Sequence, residues 1–150
     1  MDGWSGCAAR WNLHPMRLGV DSSVALAILK GESDGASWFD LLMALRASHA
    51  LVVCDVAYAE LSAVFSSEQS LQEKLSALGI GFDSVSPATA FLAGQMFAAY
   101  RKAGGPRQSL IPDFLIGAHA LTQTGGLVTA DRGYLRTYFR GLKILQPTNA

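Results

Sequence analysis

Four acidic side chains in this 150-residue sequence stand where they could meet in one site. Asp21 and Asp131 each come directly after a short apolar stretch typical of a β-strand. Asp113 stands at the start of an apolar segment with helical spacing, and Glu60 lies inside an earlier helical segment. Open α/β sheets bind their ligands in the crevice outside the carboxyl ends of the strands. We therefore expect the four acids to face a common crevice.

Glu60 is the least ordinary of these acids. In a helix it shares one face with Val56 and Val64, and no lysine or arginine stands at helical reach. A carboxylate buried on an apolar face without a partner is costly. This pattern favours a functional role, and the alternative is partial exposure or an ion pair with a distant element.

Each aspartate also has an ordinary structural explanation. Asp21, Ser22 or Ser23 could cap the helix that follows the first strand. Asp113 could likewise cap its own helix. Asp131 precedes a glycine-containing turn, where aspartate is common. Taken singly, these explanations suffice, but the shared placement of all four acids favours a site.

Carboxylates gathered in this way predict a divalent metal. Like charges disfavour one another's ionisation, and a hard cation compensates them. Carboxylate and water ligands suit Mg²⁺, with Mn²⁺ as the alternative. Such a metal suits phosphodiester hydrolysis, because it lowers the pKa of a bound water and stabilises charge on the phosphate. The hydroxyl of Thr129, and equally that of Ser22, could bond a metal-bound water or Asp131.

Other metal and thiol chemistry finds little support in the sequence. The three histidines, His14, His49 and His119, are too scattered to form a ligand set. We expect His119 to be a partly buried histidine with its hydrogen bonds satisfied. Cys7 and Cys54 make no disulfide framework, and the apolar surroundings of Cys54 predict a reduced core residue. We therefore expect a cytoplasmic protein.

The elements that would position these acids alternate between strand and helix, which predicts an α/β protein with a parallel sheet covered on both faces. The expected strands are 17–20, 51–54, 82–85, 127–129 and 142–145. The expected helices are 23–30, 35–48, 56–65, 70–78, 87–103, 113–124 and a short one after residue 133.

The bulk composition indicates one domain. Half of the residues are hydrophobic, which is enough for a core, and the formal net charge is zero. A strongly basic nucleic-acid binder is therefore not indicated. No apolar run reaches the ~18 residues of a membrane span. Residues 1–15 lack periodicity, and we expect them to be a poorly ordered extension to a domain over 16–150.

The chain resembles the PIN-domain ribonucleases and, among them, the VapC toxins of toxin–antitoxin pairs. The matching segments are Val20-Asp21-Ser22-Ser23, Ala59-Glu60-Leu61, Ile111-Pro112-Asp113-Phe114-Leu115-Ile116-Gly117-Ala118-His119-Ala120 and Val128-Thr129-Ala130-Asp131. The resemblance implies a five-stranded parallel sheet in a three-layer α/β/α fold, with Asp21, Glu60, Asp113 and Asp131 as the acidic quartet. It also implies an endoribonuclease that forms a homodimer and is blocked by a cognate antitoxin.

Basic residues near the last acid fit an RNA path. Arg132 and Arg136 follow Asp131 at helical spacing, and Arg107 stands in a glycine-proline loop. These side chains would hold phosphates, although solvated helix faces explain them equally well. Two other functions stay open at this point. One is a PIN-like RNA-processing nuclease that is not a toxin. The other is a non-enzymatic, receiver-like Mg²⁺-binding phosphoacceptor module, although the acidic pair and late lysine of such modules are missing.

Overall fold

The computed structural model describes residues 16–105, 111–130 and 134–148. Their five strands form one parallel sheet, as expected, and the structure gives the strand order as β3-β2-β1-β4-β5. In chain order the elements are β1 (Arg17–Val20), α1 (Ser22–Leu29), α2 (Gly35–Arg46), β2 (Ala50–Val53), α3 (Asp55–Ser62), α4 (Glu68–Ala77), β3 (Ile80–Phe82), α5 (Pro87–Lys102), α6 (Ile111–Gln123), β4 (Leu127–Val128), α7 (Tyr134–Tyr138) and β5 (Ile144–Leu145).

The strand order explains the apolar runs in the sequence. β1 lies between β2 and β4, so helices cover both of its faces and its last three residues are buried. The connections run outward from β1 to β3 and then cross back to β4. Because such crossovers are right-handed, α1 to α4 and α5 to α7 cover opposite faces of the sheet. The result is the three-layer α/β/α fold.

Local sequence sets the ends of the helices. Ser67 caps α4 and Ser86 caps α5, each accepting a hydrogen bond at 3.1 Å from the backbone N–H three residues on. Pro87 occupies the first turn of α5, where its missing N–H costs nothing. Leu71, Leu75 and Leu78 are buried in the core, whereas Phe91 on α5 is 69% exposed.

The third strand lies two residues earlier than the sequence suggests. Asp83 closes the ladder with an N–H bond to the Val53 carbonyl, and the chain then leaves the sheet. The Asp55 carboxylate holds this exit by accepting a hydrogen bond from the Val85 N–H at 3.2 Å. Asp55 is the first residue of α3, and Cys54 occupies the N-cap position. Val85, expected at the end of the strand, therefore lies in a loop that the bond to Asp55 holds in place.

Cys54 lies in the core, at the end of β2. Cys54 is 3% exposed, and burial raises the pKa of its thiol, which confirms an inert core cysteine. No helix in ranges 16–105, 111–130 and 134–148 is long and apolar enough to cross a membrane.

Candidate active site

Asp21 is held by hydroxyl groups at the carboxyl end of β1. It occupies the N-cap position of α1 with extended backbone angles, but its side chain makes no capping hydrogen bond. Its Oδ2 atom instead accepts hydrogen bonds from Thr129 Oγ1 at 2.7 Å and from Ser23 Oγ at 3.2 Å. The interpretation of the Asp21 side chain as a helix cap is therefore wrong, because its carboxylate is bonded to hydroxyl groups instead.

The sheet itself brings Thr129 to Asp21. β1 pairs with β4 so that Val20 lies beside Val128, and the Asp21 N–H donates to the Val128 carbonyl at 2.9 Å. The next residue along the chain, Thr129, is 1% exposed and points its hydroxyl at Asp21. Two residues that are 108 positions apart in sequence thus meet because their strands are neighbours.

Glu60 reaches the same place from α3, but for a different reason than its sequence context suggests. The residue is exposed, and Val64 on the same helical face is 50% exposed, so the argument from burial on an apolar face is wrong. The buried face of α3 carries Ala57 and Leu61 instead. The Glu60 Oε1 atom accepts a hydrogen bond at 2.9 Å from Ser22 Oγ, directly beside Asp21.

Asp113 lies in the first turn of α6 as its third residue, because this helix begins at Ile111 and not at the acid. The expected N-cap role is therefore wrong. The Gly125 N–H, just beyond the other end of α6, bonds the Arg17 carbonyl at the start of β1. At ~1.5 Å per residue α6 is ~20 Å long, so its first turn lies towards the carboxyl edge. Asp113 therefore points to the same edge of the sheet as Asp21.

Several predicted site residues are beyond what the structure describes. Asp131, Arg107 and Arg132 lie outside the described residues, as does the side chain of Arg136. The expected bond between Thr129 and Asp131 stays a prediction for the same reason. The structure shows two hydroxyl bonds that the sequence did not predict, from Ser22 to Glu60 and from Thr129 to Asp21.

Asp83, an acid outside the predicted site, differs from Asp21 and Glu60 in its partners. Asp83 is paired with Arg17 at 3.3 Å and with His119 at 2.8 Å, and Gln123 donates to it at 3.0 Å. His119 is 2% exposed, so the expectation of a satisfied histidine is confirmed. Within the described ranges, Asp21 and Glu60 have hydroxyl donors but no lysine, arginine or histidine partner. Their negative charge is therefore oriented without being neutralised.

This donor set fits a hard divalent cation. Hydroxyls hold one oxygen of each carboxylate, and Asp21 Oδ1 has only a 3.5 Å contact with Ser22 Oγ. Carboxylate oxygens are the ligands that Mg²⁺ and Mn²⁺ take. Among the described residues, no three His, Cys, Asp or Glu side chains form a group that could hold a metal. A complete ligand set would therefore need Asp131 or a movement of Asp113.

Comparison with known proteins identifies the family. A model of the PIN domain matches residues 19–140. The chain belongs to the PIN domain family. No curated protein sequence matches the chain.

The PIN fold is also seen in solved structures with low sequence identity. VapBC2 from Rickettsia felis, bound to a promoter DNA fragment, contains a chain with a TM-score of 0.67 and 19% identity, over 87% of this chain and 98% of that one. For DNA-bound VapBC from Salmonella typhimurium the TM-score is 0.58 and the sequence identity 16%, over 89% of this chain and 99% of that one. For FitAcB from Neisseria gonorrhoeae the TM-score is 0.56 and the identity 17%, over 87% of this chain and 97% of that one. These likenesses show the shared fold.

Sequence reasoning and structure differ over two sets of residues in this PIN domain. Ser22 was predicted as a possible helix cap or as one of two hydroxyls near the acids, and Ser23 only as a possible cap of the helix. Hydroxyls directly after a strand-ending acid are the signal that could have identified both as partners of the site. The Asp83 cluster was missed because its members, on β1, the β3–α5 loop and α6, share no local spacing.

Proposed function

We propose that this chain is a Mg²⁺-dependent endoribonuclease, the toxin of a VapBC-type toxin–antitoxin pair. PIN domains are generally nucleases. The observation that supports the proposal most strongly is the Asp21 carboxylate, which hydroxyls orient and no described cation neutralises. A site of this kind attracts a divalent cation and, through it, a phosphodiester.

In the proposed site, different residues would bind the metal, orient the carboxylate and bind the RNA phosphates. Asp21, Glu60, Asp113 and Asp131 would hold Mg²⁺, or Mn²⁺ in its place. When bound, the metal lowers the pKa of a water and neutralises charge on the scissile phosphate. Thr129 fixes the Asp21 carboxylate through its Oδ2 atom, and the Oδ1 atom has only the 3.5 Å contact with Ser22 Oγ. Arg107, Arg132 and Arg136 would hold neighbouring phosphates of the RNA.

The remaining partners follow from the same family resemblance. We propose a cognate antitoxin that blocks the crevice, as the VapBC complexes that share this fold each combine two different proteins. We also propose a cytoplasmic homodimer. The exposure of Phe82 at 54% and of Phe91 at 69% supports self-association. Light scattering at micromolar concentration should give twice the chain mass, and a strict monomer would exclude the dimer.

The reaction can be tested on the purified chain. Cleavage of labelled RNA should require added Mg²⁺ or Mn²⁺ and stop with EDTA, because the carboxylates cannot activate water without the metal. Cleavage that persists in EDTA would contradict the proposal. The same assay after co-expression with the product of the neighbouring gene should show inhibition for a toxin, whereas an RNA-processing nuclease would remain active. A receiver-like module would cleave nothing, and membership of the PIN family already argues against it.

A further inference from the structure

Ser22 contacts the carboxylates of both Asp21 and Glu60. Its Oγ atom lies 2.9 Å from Glu60 Oε1 and 3.5 Å from Asp21 Oδ1. A serine hydroxyl has one proton to donate, and 3.5 Å is at the limit of a hydrogen bond. The proton therefore belongs to the bond with Glu60, and Asp21 Oδ1 keeps its lone pairs for another ligand.

The two ends of this bond differ in mobility. Ser22 is the first residue of α1, is 7% exposed and comes two residues after Val20, the last paired residue of the ladder between β1 and β4. Glu60 is exposed on α3, and among the described residues the bond from Ser22 is the only hydrogen bond recorded for its side chain. A glutamate loses considerable side-chain entropy when it is fixed. The buried hydroxyl thus sets the position of an otherwise mobile carboxylate.

The bond also ties separate elements together. α1 and α3 pack against each other, and the bond joins them across 38 positions of sequence. On the far side of Asp21, Thr129 ties the same corner to β4. The Ser22 hydroxyl therefore holds Glu60 at the start of α1, while the Thr129 hydroxyl holds Asp21 at the end of β4.

We infer that Ser22 is a positioning residue that holds Glu60 in place to receive the metal; the inference rests on the proposed function. In this role Ser22 does not touch metal or RNA. It keeps Glu60 at Asp21 before the metal arrives, so that binding need not also immobilise the glutamate. Replacement of such outer partners of metal ligands typically weakens metal affinity by ~10- to 100-fold.

The test is a double-mutant cycle on metal affinity. Calorimetric titration with Mn²⁺ is carried out on the wild type, Ser22→Ala, Glu60→Ala and the double variant. Ser22→Ala should weaken binding by ~10-fold or more. On the Glu60→Ala background the same change should alter affinity by less than about twofold, because there is no carboxylate left to hold. A general structural defect would weaken binding equally on both backgrounds, and that result would overturn the inference.

The control and the remaining outcomes distinguish a failure of the role of Ser22 from a failure of the proposed function. Ser62→Ala removes a hydroxyl on the same helix as Glu60, where it bonds only the Tyr58 carbonyl at 2.8 Å, and should bind Mn²⁺ as the wild type does. If the wild type binds Mn²⁺ and cleaves RNA but Ser22→Ala binds equally well, the role of Ser22 is refuted and the proposed function stands. If the wild type neither binds Mn²⁺ nor cleaves RNA, the proposed function fails and the inference fails with it.

Discussion

At the scale of single residues, the chemistry of this PIN domain depends on which donors face each carboxylate. Asp83 is paired with Arg17 and His119, and it serves the fold. Asp21 is bonded to the hydroxyls of Ser23 and Thr129, which orient its charge and leave it available. Both aspartates follow strands, so it is the partners supplied by the fold that distinguish Asp83 from Asp21, the proposed metal ligand.

Thr129 provides the first prediction. Thr129→Val keeps the side-chain shape but removes the donor to Asp21, and the loss of a hydrogen bond to a charged group should cost about 1.5–3 kcal/mol of unfolding free energy. RNA cleavage should fall with it, because Asp21 is no longer oriented. Thr129→Ser keeps the hydroxyl and should retain most of the activity. Chemical denaturation and cleavage rates check both variants, and full activity in Thr129→Val would contradict the orienting role.

These residue-level features were only partly predictable from the sequence. Asp21 could be identified because strand-ending acids recur with a common geometry at the carboxyl edge of a sheet. Its choice of Thr129 as partner depends on β4 lying beside β1, which no local pattern encodes. Glu60 was identified on a wrong premise, since its helix face is exposed and its partner comes from α1.

At the scale of elements, α6 carries Asp113 and its placement depends on a close contact with α7. Gly117 is buried, and a Cβ atom there would lie 2.7 Å from Phe139 Cε2, in the segment just after α7. Glycine at this position allows the two segments to approach. The start of α5 was predictable because its cap, Ser86, acts locally, whereas the end of β3 was not, because the distant carboxylate of Asp55 fixes it.

Two glycines in helices should therefore respond in opposite ways to alanine. Gly117→Ala should destabilise the protein by about 1–3 kcal/mol through overpacking against Phe139. Gly94 in α5 is exposed, and a methyl group at its Cα would have no other atom within 4 Å, so Gly94→Ala should stabilise by about 0.5–1 kcal/mol through helix propensity alone. Thermal unfolding of both variants measures the difference. Stabilisation by Gly117→Ala would show that the contact with Phe139 is not tight.

At the scale of the whole molecule, the PIN match over 19–140 places the family's fold within the expected domain over 16–150. The sheet order explains why residues far apart in sequence form one crevice at one edge. The sequence predicted this architecture because alternating strands and helices permit few topologies. The surface was less predictable, since the exposure of Phe91 depends on which face of α5 meets α6.

Residues 1–15 should contribute little to the folded domain. They lack the periodicity of a packed element, and β1 begins only at Arg17. A chain that starts at Met16 should therefore melt within a few degrees of the full chain. Differential scanning calorimetry on both forms measures this, and loss of soluble protein on truncation would show that the segment is needed.

The central claim is that Asp21 is a metal ligand, and one substitution tests it directly. Asp21→Asn keeps the shape and can still accept the Thr129 hydrogen bond, so the fold should persist. The wild type should gain about 2.7 kcal/mol of stability when Mg²⁺ is at 100 times its dissociation constant. Asp21→Asn should lose most of that gain together with RNA cleavage.

The matched control for this measurement is Glu73→Gln, which removes a charge from the exposed side of α4, where Glu73 bonds Gln69. Melting curves with and without Mg²⁺ are recorded for the wild type and both variants, beside an RNA cleavage assay. The control should behave as the wild type does, and Asp21→Asn should keep only a small part of the Mg²⁺-dependent shift in melting temperature. An Asp21→Asn protein that cleaves RNA and keeps an undiminished Mg²⁺ shift would contradict the metal site.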